Sequence, residues 1–246
     1  MAPTKKLVAE RDCTMRDILA ITLDLDDTLW PLRPTLLQAE RELAQWLAGN
    51  APATAALLSS ERRAQLRAEV LQAHAPRAHD VSFVRREVLR AALREAGEDP
   101  QLAEPAFQVF LAARQQVSLY PDVLPVLTRW ANRYRLVAIS NGNADLDRIG
   151  LGGLFSAMLS AQDFAYAKPD PRIFHEACRR IGVAADKVLH VGDDLHLDVL
   201  AAQAAGLRSA WIRRPDLVDA KPLSAGAAVP ETFVDLHALE MRLANP

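Results

Sequence analysis

The chain has 246 residues and a mass of 27.0 kDa, and 50% of its residues are hydrophobic and 24% charged. This composition is typical of a globular protein and excludes a disordered or fibrous chain. The 29 basic and 31 acidic residues give a net charge of -2, so there is no basic surplus to bind a polyanion and nucleic acid is not expected as a partner. The length accommodates one α/β domain and a smaller second domain.

The two cysteines, Cys13 and Cys178, lie in unrelated surroundings, without a CxxC or His/Cys spacing. We therefore expect two free thiols in a reducing compartment, and neither a zinc site nor a disulfide framework. The N-terminal segment lacks the apolar core of a secretory signal, and no apolar run approaches the ~18 residues of a membrane span. The sequence thus predicts a cytoplasmic protein without a membrane partner.

Five short apolar segments have the pattern of strands buried between two helical layers. Helical patterns separate most of them, for example residues 170–181 before Gly182 and residues 198–205 before Gly206. This alternation predicts an α/β fold with a doubly wound parallel sheet. The Pro- and Ala-rich stretch after Pro215 is predicted to be irregular. The predicted strands are residues 18–23, 136–140, 157–160, 188–191 and 209–212, with a sixth at residues 232–234.

No strand pattern occurs between about residues 33 and 119, where helical stripes too regular for a loop take its place. We predict a helical domain at residues 33–119, inserted into an α/β core made of residues 1–32 and 120–246. The predicted helices are residues 35–50, 60–73, 80–97 and 102–117, and the aromatic residues expected to pack among them are Trp46, Phe83, Phe107 and Phe110.

Acidic residues follow two of the predicted strands, and in an open parallel sheet functional groups gather beyond the carboxyl ends of the strands. Two unit charges ~4 Å apart repel by about 4 kcal/mol at an effective dielectric near 20, so a compact acidic cluster requires cations. Mg2+, which prefers oxygen ligands, fits best. Either acidic pair alone could be a solvated turn or a helix N-cap, whereas both at strand ends favour a functional site. The six carboxylates are Asp24, Asp26 and Asp27 after the first strand, and Asp193, Asp194 and Asp198 after the fourth.

Lys168 and Ser140 offer groups that complement an anion. Only five of the 29 basic residues are lysines, so an arginine would be expected at an arbitrary surface position. A lysine in the Ala-Lys-Pro-Asp segment at residues 167–170 therefore suggests that this position needs a compact point charge. The alternative is a surface lysine ahead of a helix. Ser140 and the turn at residues 141–143 offer a hydroxyl and backbone N–H groups for phosphoryl oxygens. The alternative is an Asn-Gly hairpin turn, which the following residues do not support because they do not resemble a pairing strand.

Other features point away from common sites. The glycines at residues 150–153 lack the preceding strand of a dinucleotide-binding loop, and no GxxxxGK[ST] loop occurs. His190 lies inside a predicted strand and is expected to have a structural, hydrogen-bonded role. The remaining candidates, which show no metal-binding spacing, are His79, His175 and His196.

The motifs at residues 24–28, 140–141, 168–169 and 192–194 occur in the order found in the haloacid dehalogenase-like (HAD) hydrolase superfamily, which the sequence resembles over nearly its whole length. The resemblance implies a Rossmann-like core, and the helical insert resembles the type-one cap of that family. A closer likeness is to the bacterial flavin-pathway phosphatases that act on 5-amino-6-(5-phospho-D-ribitylamino)uracil and on FMN. The stretches that carry this likeness are residues 21–29, 136–144, 190–194 and 211–213.

The resemblance implies a phosphatase that acts through a covalent aspartyl-phosphate. Asp24 would be the nucleophile, and Asp26 the general acid that protonates the leaving alkoxide and later activates water. Mg2+ would be bound by the Asp24 carboxylate, the Asp26 backbone carbonyl and Asp193. Asp194 or Asp198 would hold metal-bound waters or the lysine.

The implied substrate site consists of Thr28, Ser140, Asn141 and Lys168. The Ser140 hydroxyl, the backbone N–H of Asn141 and the lysine ammonium would neutralise the phosphoryl oxygens as charge develops. Thr28 would support the loop. Trp30 could meet the substrate, although packing is the favoured role for it.

Three alternatives accompany this interpretation. A 2-haloacid dehalogenase on the same fold would need neither Asp26 as an acid nor a metal ion. A phosphomutase would share the first chemical step and differ in the group that attacks the phosphoenzyme. A catalytically idle binding module would keep the fold alone. The expected partner is a small phosphate ester, and the expected assembly is a monomer or a homodimer.

Overall fold

The structure is a computed structural model that describes residues 15–215 and 230–245, without the side chain of Arg16. Cys13 and most of the predicted irregular stretch after Pro215 lie outside the described residues. The helices are α1 (Leu32–Asn50), α2 (Pro52–Leu57), α3 (Ser60–Ala73), α4 (Val81–Glu95), α5 (Ala103–Arg114), α6 (Val123–Ala131), α7 (Leu146–Ile149), α8 (Pro171–Ile181), α9 (Ala201–Ala204) and α10 (Leu236–Ala244). The strands are β1 (Ala20–Leu23), β2 (Arg135–Ser140), β3 (Ala157–Ser160), β4 (Val188–Gly192), β5 (Arg208–Ile212) and β6 (Thr232–Phe233).

The six strands form one sheet in the order β3-β2-β1-β4-β5-β6, and every neighbouring pair is parallel. This confirms the predicted doubly wound sheet. The last residue of β1, Leu23, pairs with Ala138 of β2 and Val191 of β4. Since β1 lies between β2 and β4, the residues that follow these three strands meet at one edge, where the strand order changes direction.

Alternate residues of the central strands point to opposite faces, and both faces are buried. In β1, Ile21 and Leu23 join the core that contains α6 and α10. Ala20 joins the core on the other face, with α8 and α9. Helices therefore cover both sides of the sheet, as the uniformly apolar strands predict.

The helices between β1 and β2 have hydrophobic cores of their own. Phe107 and Phe110 are buried between α1, α4 and α5, with Trp46 packed against them. Phe83 packs against a second cluster formed by α3 and α4. The expected packing role of these aromatic residues is confirmed. We call helices α1–α5 the helical insert.

Several element boundaries differ from those predicted. The sheet pairing of β1 starts at Ala20 rather than at residue 18, and Leu19 is largely exposed. Helix α1 begins at Leu32, ahead of the predicted residue 35, because Pro34 is tolerated in a first helical turn. Helix α2 was not predicted. The segment predicted as a helix at residues 198–205 starts earlier, as a π-helical segment at Leu195–Leu200 that runs into α9.

No helix within the described ranges combines the length and the apolar character that crossing a bilayer requires.

Candidate active site

Three carboxylates from two strand ends meet at the edge of the sheet. Asp24 follows β1 directly, and its backbone N–H donates to the carbonyl of Val191 in β4 at 2.9 Å. Asp193 follows β4, and Asp198 lies in the π-helical segment after it. One carboxylate oxygen of each of the three aspartates lies within 4.8 Å of the others. We call Asp24, Asp193 and Asp198 the carboxylate cluster.

Lys168 lies inside this cluster and is buried. Its Nζ donates to Asp24 Oδ1 and, at 2.5 Å, to Asp198 Oδ1. The Asn141 side chain fixes the main chain of the lysine, because Nδ2 donates to the Lys168 carbonyl at 2.8 Å and Oδ1 accepts from its N–H at 2.9 Å. The Lys168–Pro169 peptide bond is cis. The surface-lysine alternative is therefore wrong.

Asp198 is held by several donors at once. Its Oδ1 also lies 3.2 Å from His190 Nε2, and its Oδ2 accepts from the backbone N–H of Asp194 at 3.0 Å. Thr22 Oγ1 lies 2.8 Å from His190 Nδ1. A neutral imidazole with its proton on Nε2 satisfies both contacts, and burial lowers the pKa of His190. The predicted structural role of His190 agrees with this arrangement.

The proximity of the charges shifts the ionisation of the cluster. Burial raises the pKa of Asp24; the charge of Lys168 opposes that shift, and the charge of Asp198 adds to it. Burial and the charges of Asp24 and Asp198 raise the pKa of Asp193 to about 9. For Asp198, the positive charge of Lys168 and the His190 contact outweigh burial and lower the pKa. Burial alone would lower the pKa of Lys168, but the charges of Asp198 and Asp24 raise it.

The donor set fits a hard divalent cation. The clustered atoms are all carboxylate oxygens, which Mg2+ prefers. Besides burial, the negative charges of Asp24 and Asp198 raise the pKa of Asp193. Lys168 supplies one positive charge against three carboxylates. A second cation is needed for all three to be ionised together.

Three of the six predicted carboxylates lie outside the carboxylate cluster. The side chain of Asp26 lies outside it and accepts from Trp30 Nε1 at 2.9 Å. Asp27, whose φ is 60°, accepts from the N–H of Leu32 at 2.8 Å. Asp194 is exposed and caps the π-helical segment, so the helix N-cap alternative is correct for this residue. Each of these carboxylates has its own donor, which avoids the repulsion of a larger cluster.

The loop after β2 has a different internal arrangement from the one expected. Ser140 is buried, and its Oγ accepts from the N–H of Gly142 at 2.9 Å. Ser160 Oγ, at the end of β3, donates to the Gly142 carbonyl at 3.1 Å. The loop is thus a closed turn beside the carboxylate cluster, and the Asn141 side chain holds Lys168 in place.

Two supports of Asp193 come from distant parts of the chain. Thr28 Oγ1 donates to Asp193 Oδ1 at 2.9 Å, and Trp211 Nε1 donates to its carbonyl at 2.7 Å. Arg214 Nη2 in turn donates to the Thr28 carbonyl at 2.7 Å. The sequence identified Thr28, whereas the roles of Trp211 and Arg214 were not predicted.

Arg114, at the end of α5, is a second residue that was not predicted. Its Nη2 lies 2.6 Å from Asp26 Oδ1 and 2.7 Å from Oδ2. No local motif marks this arginine. Its position in the last turn of a helix that leads back to the sheet is the signal that could have identified it.

The insert contacts the sheet edge through other polar side chains as well. Asn143 Nδ2 donates to Ser82 Oγ at 3.2 Å, and His79 Nε2 lies 2.8 Å from the Phe164 carbonyl. Neither His79 nor the exposed His196 belongs to the carboxylate cluster. The helical insert is therefore seated over the strand ends.

A family profile described as haloacid dehalogenase-like hydrolase matches residues 18–206. The chain belongs to this family. It is 34% identical over 200 residues to the 5-amino-6-(5-phospho-D-ribitylamino)uracil phosphatase YigB of Escherichia coli (strain K12), covering 80% of this chain and 84% of that protein. It is also 30% identical over 217 residues to a glyceraldehyde 3-phosphate phosphatase of Methanopyrus kandleri, covering 83% and 88%.

Among solved structures, that of a 2-haloacid dehalogenase from Pseudomonas syringae pv. Tomato DC3000 is similar, with a TM-score of 0.85 and 38% identity over 93% of this chain and 99% of that one. The family match and the named phosphatase relatives make this chain a HAD-like phosphatase. Its fold is the HAD α/β core with an inserted helical cap.

Proposed function

We propose that this phosphatase depends on Mg2+ and hydrolyses a small phosphorylated metabolite through an aspartyl-phosphate on Asp24. One observation carries the proposal: the carboxylate cluster forms around a buried lysine at the topological switch point of the sheet. Lys168 and a metal ion would together balance the negative charge of the cluster and of an entering phosphate.

Asp24 is the nucleophile in this mechanism. One carboxylate oxygen forms a bond to phosphorus while the bond from phosphorus to the leaving oxygen breaks, and the leaving oxygen takes that electron pair. Asp26 donates a proton to it. Asp26 then accepts a proton from the water that attacks phosphorus, which releases inorganic phosphate and restores Asp24.

The metal ligands would be the carboxylates of Asp24 and Asp193 and the backbone carbonyl of Asp26. Both oxygens of Asp198 already accept from protein donors, whereas Asp193 Oδ2 has no protein donor among the described residues. Bound Mg2+ would polarise a phosphoryl oxygen. Lys168, Ser140 and the N–H of Asn141 would neutralise the remaining phosphoryl oxygens, with Thr28 supporting Asp193.

The substitution Asp24→Asn tests the nucleophile. We expect turnover of p-nitrophenyl phosphate to be abolished while the circular dichroism spectrum is retained. Asp186→Asn is a matched control, because Asp186 is exposed and precedes β4 at the opposite edge of the sheet. Steady-state activity in the Asp24→Asn variant would contradict the assignment. In the wild type, phosphate label that stays bound to Asp24 after acid quenching, or reduction of the Asp24 acyl phosphate by borohydride, would support the assignment.

A second test addresses the metal and the reaction type. Activity should be lost in EDTA and restored by Mg2+. Release of labelled inorganic phosphate distinguishes hydrolysis from a phosphomutase, which would pass the label to a second metabolite. Inactivity on a broad phosphate-ester panel would favour a binding module.

The similarity to a 2-haloacid dehalogenase calls for a direct comparison. The presence of Asp26 and of a second acidic strand end favours phosphate esters, because displacing a halide needs no proton donor for the leaving group and no metal. Halide release from a 2-haloacid, measured beside phosphate release, checks this. Halide release alone would refute the proposal.

For the substrate, we propose 5-amino-6-(5-phospho-D-ribitylamino)uracil or FMN, on the strength of the 34% identity to the E. coli enzyme. A panel with these two esters and sugar phosphates tests the choice by kcat/KM. We further propose that residues 33–119 act as the cap between the two core segments, 1–32 and 120–246. A cytoplasmic location and a monomeric or homodimeric state stay predictions.

A further inference from the structure

The cap places a buried cation against Asp26. Arg114 is 1% exposed, although it belongs to the insert and not to the sheet. Its Nη2 contacts both oxygens of Asp26, at 2.6 and 2.7 Å. A guanidinium taken out of water is costly unless it is paired, so this contact defines where Asp26 lies when the cap is seated.

Asp26 is fixed from two sides. Trp30, in the loop that follows β1, donates to Oδ1 at 2.9 Å, and Arg114 contacts it from the cap. The loop after β2 closes a third side, since a Cβ added to Gly142 would lie 2.7 Å from Asp26 Oδ2 and 3.5 Å from Arg114 Nη2. The arginine–aspartate pair therefore lies beside Ser140, next to the loop proposed to hold the phosphoryl oxygens.

The other terminal nitrogen of Arg114 has no hydrogen-bond partner among the described residues, although it is buried. A buried donor left unsatisfied costs roughly 1–3 kcal/mol. Nη1 is bonded to the same carbon as Nη2, so it lies within a few ångströms of Asp26. An oxygen that receives a proton from Asp26 would be close to this free donor.

The position of Arg114 depends on the seating of the cap. The next residue, Gln115, is buried; its Oε1 accepts from the N–H of Asp145 at 2.7 Å and its Nε2 donates to the Asn143 carbonyl at 3.2 Å. Ser82 contacts Asn143 nearby. These contacts hold the end of α5, and with it Arg114, against the sheet edge.

We propose that Arg114 is a catalytic residue contributed by the cap: Nη1 donates a hydrogen bond to the oxygen that leaves phosphorus, while Nη2 orients Asp26. As the bond from phosphorus to that oxygen breaks, the electron pair moves to the oxygen and the guanidinium stabilises the growing negative charge. Asp26 supplies the proton from Oδ2, while its Oδ1 keeps the hydrogen bonds from Arg114 Nη2 and Trp30 Nε1. The guanidinium takes no part in the proton transfer. This inference rests on the proposed phosphatase mechanism.

The test compares two leaving groups. p-Nitrophenolate is a stable anion and needs little help to depart, whereas the alkoxide of an alkyl phosphate needs it strongly. In Arg114→Gln, we expect kcat for the best alkyl phosphate of the panel to fall by about a hundredfold or more, which is the usual loss when one hydrogen-bond donor to a developing charge is removed. We expect kcat for p-nitrophenyl phosphate to fall by less than about tenfold. Arg114→Lys keeps the positive charge but not the two terminal nitrogens of the guanidinium. It should therefore also lose more activity on the alkyl phosphate than on p-nitrophenyl phosphate, with a smaller loss than Arg114→Gln.

Arg86→Gln is the matched control. Arg86 joins α4 to α5 through Glu104 at 2.9 Å and lies over the Phe107 ring, but it does not reach Asp26. It should leave the ratio of the two activities unchanged. If both Arg114 variants lose kcat equally on the two esters, or lose none, the role of Arg114 is refuted while the proposed phosphatase function stands. A wild type that hydrolyses neither ester would overturn the proposed function and this inference with it.

Discussion

Arg214 and Asp122 form a buried ion pair beside the loop that follows β1. Arg214 Nη1 donates to both carboxylate oxygens of Asp122, at 2.8 and 2.9 Å. Its Nε and Nη2 donate to the Thr28 carbonyl at 3.1 and 2.7 Å. Asp122 also accepts from the N–H of Leu236 at 2.8 Å. One arginine thus links the loop after β1, the start of α6 and the start of α10.

The substitution Arg214→Leu would leave Asp122 buried with the Leu236 N–H as its remaining donor, and would free the Thr28 carbonyl. Breaking a buried pair by removing one partner costs about 3–5 kcal/mol. At about 2–4 °C per kcal/mol for a domain of this size, the Tm should fall by roughly 6–20 °C. Because Thr28 also contacts Asp193, kcat should fall even below the new Tm.

Urea unfolding and calorimetry of four variants check this reasoning. The double variant Arg214→Leu with Asp122→Leu removes both charges, so it should be more stable than Arg214→Leu alone. Arg129→Leu is the control, because Arg129 also contacts both carboxylate oxygens of its partner, Glu240, but is exposed. Its loss should leave stability near that of the wild type. Arg214→Lys should be intermediate. If Arg214→Leu unfolds like Arg129→Leu, the buried pair does not hold the loop.

Three further changes test the site. Lys168→Ala should lower kcat and kcat/KM together by about a hundredfold to a thousandfold, and a loss confined to KM would show that the lysine only binds substrate. In Gly192→Ala, the new Cβ would lie 2.3 Å from Asp198 Cγ, so activity should be lost with the fold retained, and wild-type kcat would contradict this packing. Finally, the pKa of Asp193 is about 9 in the metal-free protein and near 4 in an unfolded chain. Between about pH 4 and about pH 9 the native state therefore binds more protons than the unfolded state, so the free energy of unfolding falls as the pH rises through this range. Metal ligands must be deprotonated, so protons compete with Mg2+ less at about pH 8 than at about pH 6. The rise in Tm that Mg2+ causes, measured against the metal-free protein at the same pH, should therefore be larger at about pH 8. Equal rises at the two pH values would refute this.

The sequence predicted the parts of the site that depend on local order. Asp24 and Asp193 follow apolar segments too short and too uniform for anything but buried strands. Parallel strands bring their carboxyl ends to one edge, so adjacency in space followed from adjacency to a strand. The same logic located Ser140 after β2, although it did not reveal that Ser140 bonds the Gly142 N–H.

The long-range partners could not be predicted in this way. Arg114 is 88 residues from Asp26, and Arg214 is 92 residues from Asp122. Neither has a distinctive spacing, and each is one arginine in an Arg-rich chain. Their roles depend on how the helical insert and the C-terminal segment pack against the core. Apolar patterning predicts which face of a helix is buried, but not which element that face contacts. The π-helical segment was missed because Asp194 caps it and it begins at Leu195, three residues before the predicted start.

The partition of the acidic residues follows from charge. Asp26, Asp27 and Asp194 each accept hydrogen bonds from donors outside the cluster. Lys168 pairs with Asp24 and Asp198 but not with Asp193, so with all three carboxylates ionised the cluster and its lysine carry a net charge of -2.

A phosphate ester is itself an anion, and it would have to approach that negative cluster for Asp24 to attack. Lys168 does not resolve the repulsion, because its ammonium is already shared between Asp24 and Asp198. Protonation of Asp193 would relieve part of it, but a protonated Asp193 cannot bind a metal ion. In the proposed mechanism the cation must therefore bind before the ester or together with it, and the excess negative charge of the metal-free cluster favours its binding.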